Sequence, residues 1–288
     1  MNGQWRKKAA AYRRDPYSFF LFAAVWFAAL LAMLAFAFVI GYILLKGVVH
    51  LSPSLFAWKY TSENVSLVPA LINTLWITAL SLFVATPIGI GAAVYLSEYA
   101  RRGNRLVSVV RVTAETLSGI PSIVYGLFGA LFFVKFIGLG LSLLSGALTL
   151  AVMVLPLVLR TAEEALRAVP DSYREGSFGL GAGRLRTVFC VVLPSAVPGI
   201  LSGILLAMGR IVGESAALIF TAGTVAKAAG SLLDSARTLS VHMYVISGEG
   251  LYLEETYATA VVLMAAVAAL NALSALAAKK LGKGQADG

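Results

Sequence analysis

Residues 175–194 read Glu175-Gly176-Ser177-Phe178-Gly179-Leu180-Gly181-Ala182-Gly183-Arg184-Leu185-Arg186-Thr187-Val188-Phe189-Cys190-Val191-Val192-Leu193-Pro194. They end a segment, about 160–193, that is mixed in charge and compatible with helix, between two long apolar runs. Pro170 breaks it, and Asp171 is placed to cap a helix through Arg174 and Glu175. The glycines at 179, 181 and 183 suit a tight turn. Arg184 to Leu193 resumes the helix, and Pro194 opens the next apolar run. The pattern predicts a short helix–turn–helix projecting from an apolar body. Two readings fit it: a knob that docks into a partner's groove, or a solvated connector.

The chain on either side sets the class. Of 288 residues, 59% are hydrophobic and 13% charged, and mean hydropathy is +0.85. Ordinary soluble domains are about 45–50% apolar and about 25% charged. That contrast excludes a soluble globular protein and, equally, a disordered one. A helix needs about 20 apolar residues to cross a bilayer. Six stretches qualify, near 19–45, 68–95, 121–136, 139–159, 194–222 and 257–278. The predicted fold is therefore an all-α integral membrane protein with six transmembrane helices. The 19–45 run is too long for a signal-peptide core and reads as a retained anchor.

Seventeen of the 23 Lys and Arg fall on one side of this topology. They are Arg6, Lys7, Lys8, Arg13 and Arg14 in the N-terminal tail, and Arg101, Arg102, Arg105 and Arg111 after the second span. Arg160, Arg167, Arg174, Arg184 and Arg186 follow the fourth span, and Lys279, Lys280 and Lys283 end the chain. The opposite loops hold only Lys46, Lys59, Lys135, Lys227 and Arg237. Basic loops mark the cytoplasmic face, so both termini are expected inside. The same placement explains the net charge of +9 by membrane topology, with no need of nucleic acid.

The segment 175–194 resembles the "EAA" loop of bacterial ABC importer permeases: Glu-Ala-Ala, three residues, Gly, nine residues, then Ile-x-Leu-Pro. Glu175, Gly181, Leu193 and Pro194 fall in register, with Gly176 and Ser177 in place of the two alanines. Further stretches are similar to the phosphate permeases. These are Asn73-Thr74-Leu75, residues 86–99 (TPIGIGAAVYLSEY) and residues 115–126 (ETLSGIPSIVYG). Residues 210–222 (RIVGESAALIFTA) and 238–244 (TLSVHMY) resemble the PstA-type member in particular.

The resemblance implies a type I (MetI-like) permease core over 68–282, preceded by an added span and outer loop within 1–67 and followed by a short tail at 283–288. It implies a phosphate importer subunit in the bacterial inner membrane, surrounded by lipid. Its expected partners are a PstC-like permease, a PstB-like ATPase dimer and a PstS-like binding protein. In that family the loop carrying Glu175, Gly176, Ser177, Gly181, Leu193 and Pro194 docks on the ATPase. ATP and Mg are then expected on the partner, with no cofactor in this chain and no enzymatic role for it. A permease for molybdate or sulfate, and an ion-coupled secondary carrier or a membrane enzyme, are the rival readings.

Arg210 and Glu214 stand inside the otherwise apolar fifth run. Four residues apart on a helix they share one face, and Arg210 is roughly 24 Å beyond Pro194. A charge at such depth costs about 2.5–3.5 kcal/mol on insertion scales, so it faces water or a partner. One reading has Arg210 line the pathway as a planar fork for an oxyanion, with Glu214 tempering its charge. The other has the two as a structural pair.

Other signals carry less. No GxxxxGK[ST] loop is present. Glu163–Glu164 and Glu254–Glu255 read as solvated faces, Cys190 as a space-filling thiol in apolar surroundings, and His50 and His242 as lacking companion ligands.

Overall fold

The structure, a computed structural model, describes residues 16–101 and 103–283. The basic residues Arg6, Lys7, Lys8, Arg13, Arg14 and Arg102, and the tail 284–288, lie outside the described residues.

All regular structure among the described residues is helical. The elements are α1 (Pro16–Gly47), α2 (Val68–Tyr99), α3 (Arg105–Ser118), α4 (Ser122–Phe136), α5 (Leu143–Arg167), α6 (Asp171–Gly179), α7 (Arg184–Val212), α8 (Ala216–Thr221), α9 (Leu239–Glu249) and α10 (Leu253–Lys283). Five of them are long and apolar enough to cross a membrane, and α3 with α4 forms a sixth candidate bent by 103°.

Burial sorts these helices. α1 is apolar all round with its side chains exposed, as expected of a helix in lipid. It meets only the outer flank of the bundle: Tyr42 packs edge-on to Tyr257 at 5.9 Å, and Gly47 lies directly against the Tyr257 carbonyl of α10. The core lies between α2, α5, α7 and α8, where Ile77, Leu150, Met153, Val154, Ile211 and Leu218 are buried together. Glycines let the helices approach: Gly199 of α7 faces Ala165 of α5, and Gly203 faces Thr161. Polar groups close the end of the bundle where α2 begins. The Asn73 amide donates to the carbonyls of Lys227 and Arg237 and accepts from the Ala229 N–H, pinning residues 222–238 to α2.

One span expectation gains a neighbour and another needs correction. The third stretch, 121–136, is α4, and it is preceded by α3, whose alternation of Arg105, Arg111 and Glu115 with Leu106, Val109 and Val110 makes it two-faced rather than apolar. Residues 118–121, Ser-Gly-Ile-Pro, supply the break: Pro121 has an extended backbone and no N–H to continue the ladder. The fifth span does not begin at Pro194 or run on to Ala222. It begins at Arg184 and passes Pro194 through a wide five-residue turn at Val188–Val192. Such a π turn accommodates the proline ring, which otherwise clashes with the carbonyl one turn earlier. α7 ends at Val212, and α8 is a separate short helix.

Candidate functional site

Two regions hold the site residues suggested by the sequence, one at each end of α7. The first is the α6 hairpin. Its helix runs Asp171–Gly179. Asp171 is not the cap: Pro170 occupies that position, and the Asp171 carboxylate accepts from Arg174 Nη1 at 3.2 Å. Gly181 ends the helix with φ +81. The Ala182 N–H donates to the Ser177 carbonyl at 3.1 Å and the Gly181 N–H to Phe178 at 2.9 Å. This pair of bonds is a Schellman closure, which requires the left-handed conformation that glycine adopts without penalty. Ser177 and Thr187 join their hydroxyls at 2.8 Å, fastening the hairpin's two arms.

The outer surface of the hairpin is bare. A Cβ built on Gly176, Gly179, Gly181 or Gly183 meets nothing within 4 Å. Glu175 is exposed and makes no ion pair among the described residues, and Leu180 at the tip is 91% exposed. Leu193 and Pro194 lie farther along, half-buried where α7 leaves its wide turn. The small residues at 176 and 181 therefore serve no packing within this chain.

The inner surface of the hairpin is tied down by a residue the sequence did not single out. Glu98, at the end of α2, is 8% exposed. It accepts from Arg174 Nη2 at 2.7 Å and from Nε at 3.3 Å. Arg174 also donates to the Leu166 and Val169 carbonyls at the end of α5, at 2.9 and 2.8 Å. The Glu98 bond is the main cause that holds the Arg174 pKa above the ordinary guanidinium value, with burial opposing it. Arg184, at the foot of α7, donates to the Glu98 carbonyl and lies over the Tyr99 ring at 5.2 Å. Nothing in the local pattern around residue 98 signals a partner 76 positions away.

A parallel tie corrects the reading of Glu163. It is not a solvated face residue: it is buried and held by Arg111 of α3 at 2.7 Å and Arg167 at 2.9 Å. Glu164, by contrast, remains exposed beside Arg160. Cys190 is exposed, within the wide turn of α7, rather than filling space.

The second region is the break after α7. Arg210 lies in the last turn of α7 and is half-buried. It makes no ion pair among the described residues. The Tyr125 hydroxyl is fixed, donating to the Leu117 carbonyl at 2.8 Å across the α3–α4 bend. Arg210 and Glu214 do not share a helix face, because α7 stops at Val212 and Gly213 turns the chain. Glu214 instead accepts from the Ala217 N–H at 3.1 Å, capping α8, while its own carbonyl accepts from Ser240. α8 in turn rests on α4: a Cβ at Gly126 meets the Ala217 Cα at 2.8 Å. Among the described residues, the break thus leaves the Arg210 guanidinium without a carboxylate ion pair.

The segment between α8 and α9 holds a buried cation. Arg237 is 4% exposed and lies over the Tyr60 ring at 4.9 Å, and Tyr60 also meets His242 edge-on at 6.0 Å. Burial first, and then the Arg237 charge, push the His242 pKa down to about 3, against a backbone bond at Val65. His50 is apart from these, paired with Glu254 at 3.1 Å. Among the described residues no group of three His, Cys, Asp or Glu side chains is placed to hold a metal ion.

A bare hairpin, a long helix and a charged break at its far end form an architecture with known counterparts. The family described as binding-protein-dependent transport system inner membrane component matches residues 85–285. The chain belongs to this family. It is 35% identical over 231 residues to the probable ABC transporter permease protein YqgI of Bacillus subtilis, covering 73% of this chain and 76% of the relative. It is also 35% identical over 235 residues to the phosphate transport system permease protein PstA 2 of Mycobacterium bovis, covering 80% and 76%. With PstA of Xylella fastidiosa it shares 44% over 143 residues, half of each chain. Among solved structures, an inward-facing MetNI methionine ABC transporter matches with TM-score 0.60 and 22% identity, over 75% of this chain and 95% of that one. A bacterial ABC transporter involved in import of the acidic polysaccharide alginate matches with TM-score 0.59 and 15% identity, over 95% and 99%. Both support the MetI-like permease fold. The chain is a multi-pass inner-membrane component of a multi-subunit ABC transporter.

Proposed function

We propose that this chain is the PstA-type permease subunit of an ATP-driven importer of inorganic phosphate, forming half of the pathway. The single observation that carries this reading is α7, one helix that joins the bare hairpin to Arg210. From Arg184 to Arg210 it spans roughly 39 Å, so displacement at one end is felt at the other. The relatives named as phosphate transport permeases support phosphate as the substrate.

In this reading the α6 hairpin, with Glu175, Gly176, Ser177, Gly181, Leu193 and Pro194, is the handle for a PstB-like ATPase dimer. ATP and Mg bind that partner. A PstC-like permease supplies the other half of the pathway, and a PstS-like protein delivers phosphate outside. The distribution of Lys and Arg supports both termini in the cytoplasm. When the ATPases close, the hairpin moves, and the clasp of Arg174 on Glu98 carries α2 along with α7. At the far end, Arg210 meets the oxyanion through its planar fork. A site of one uncompensated arginine binds the anion without trapping it.

The test is uptake by proteoliposomes holding the complete transporter. ATP-dependent uptake of phosphate, unaffected by molybdate or sulfate, supports the reading. Uptake driven by an ion gradient without ATP, or competed equally by the other oxyanions, overturns it.

A further inference from the structure

Away from α7's far end, a cluster of arginines surrounds a basin of about 930 Å³ between the ends of α2, α3 and α6. Six arginines line it: Arg101, Arg105, Arg111, Arg167, Arg174 and Arg184. Only three carboxylates do so: Glu98, Glu115 and Asp171. Those arginines are not equivalent. Arg174 is committed to Glu98 and Asp171, and Arg111 and Arg167 share Glu163. Arg101 and Arg105 make no ion pair among the described residues, and Arg184 contacts only a carbonyl and a ring. Three guanidinium groups are thus left to face the basin without a counter-charge of their own.

Two further features favour an anion there. α3 begins at the basin, with Asn104 as its cap accepting from the Leu106 N–H at 3.0 Å. The first turn of a 14-residue helix adds the positive end of the macrodipole to the same space. The face of α3 that lines the basin carries Val107, Ser108, Arg111 and Glu115, with Val112 at its edge. Leu106, Val109 and Val110 are exposed on the opposite face. A lipid whose chains follow that apolar row has its headgroup across the helix from the basin, so the arrangement favours a soluble ligand.

We propose that this basin binds a phosphate-bearing anion on the cytoplasmic side, held by Arg101, Arg105 and Arg184 at the α3 N-terminus. Multiply charged oxyanions suit guanidinium forks, and the unbalanced charge of the basin matches a dianion. The site is separate from Arg210, and the inference holds whichever anion the transporter carries. Bound there, the anion is a shared counter-ion between α3 and the foot of α7.

The experiment labels arginines with phenylglyoxal in the complete transporter, in nanodiscs of phosphatidylcholine, and reads each site by mass spectrometry. Inorganic phosphate is added against chloride of equal ionic strength, and in a second arm phosphatidylglycerol replaces part of the lipid. Several-fold slower labelling of Arg101 and Arg105 with phosphate, and unchanged labelling of Arg186 on the hairpin, supports the site and its soluble ligand. Protection by phosphatidylglycerol alone supports the anion site with a lipid headgroup as the source. R105Q is expected to abolish the protection of Arg101 in either case. Labelling that is unchanged in both arms, slowed uniformly at Arg186 as well, or blocked before any anion is added, overturns the proposal.

Discussion

Arg174 and Glu98, 76 residues apart in sequence, meet in a forked ion pair whose short arm is 2.7 Å, with side chains 15% and 8% exposed. This contact fixes the hairpin to a helix other than its own. Removing one partner leaves a buried charge, which typically costs about 3–5 kcal/mol. E98A is therefore expected to lower the thermal stability of the complex sharply. R174K keeps the charge and loses the fork, so it is expected to assemble normally while ATP hydrolysis continues and uptake falls. Paired hydrolysis and uptake assays check this; equal retention of both by R174K rules out a transmitting role.

Gly181 holds φ +81 with open space around it. The penalty for a side chain there is conformational, not steric, and is about 1–2 kcal/mol. G181V is expected to fray the hairpin and abolish coupled uptake without altering membrane insertion, whereas G181N, which tolerates the left-handed region, retains most uptake. Gly176 makes the complementary case. G176A adds helix propensity of about 1 kcal/mol and meets nothing within this chain. A loss of ATPase binding by G176A in a pull-down then reports a partner's surface.

Arg210 and Glu214 predict different phenotypes because the turn at Gly213 separates them. R210Q is expected to abolish phosphate uptake, and R210K to retain a fraction of it, with normal insertion in both. E214Q keeps an oxygen for the Ala217 N–H and is expected to transport nearly normally. E214A removes the cap and costs about 0.5–2 kcal/mol, read as a lower unfolding temperature. Loss of uptake by E214Q at unchanged stability would return Glu214 to the pathway as a charge.

His242 gives the chain an acid sensitivity. Its folded pKa, about 3, lies below the ordinary value of about 6.5. The neutral form is folded, so its contribution is complete above pH 6.5. As pH falls, the unfolded chain takes a proton that the folded chain refuses. Stability is lost at about 1.4 kcal/mol per pH unit between the two values. H242Q is expected to flatten thermal stability against pH over that window, relative to the native chain.

Much of this was legible in the chain itself. The membrane class and the presence of five to six long apolar helices follow from composition and run length, because a bilayer imposes a fixed thickness and a polarity on every segment. The hairpin was readable too: Pro170, the glycines and Leu193-Pro194 act within a few residues of themselves, and Gly181 dictates its own backbone. What the tertiary structure decided are the relations between distant residues. Periodicity placed Arg210 and Glu214 on one face, but helix ends depend on packing, and α8 against Gly126 stops α7 at Val212. Pro194 looked like a beginning, yet a wide turn carries the helix through it. Glu163 read as a solvated charge and Glu98 carried no signal of its own, and only the folding of α3 and α6 onto α5 and α2 brought Arg111 and Arg174 to them. Local rules act through backbone geometry and solvation, which sequence displays; ion pairs across the bundle arise only when packing has removed the water between them.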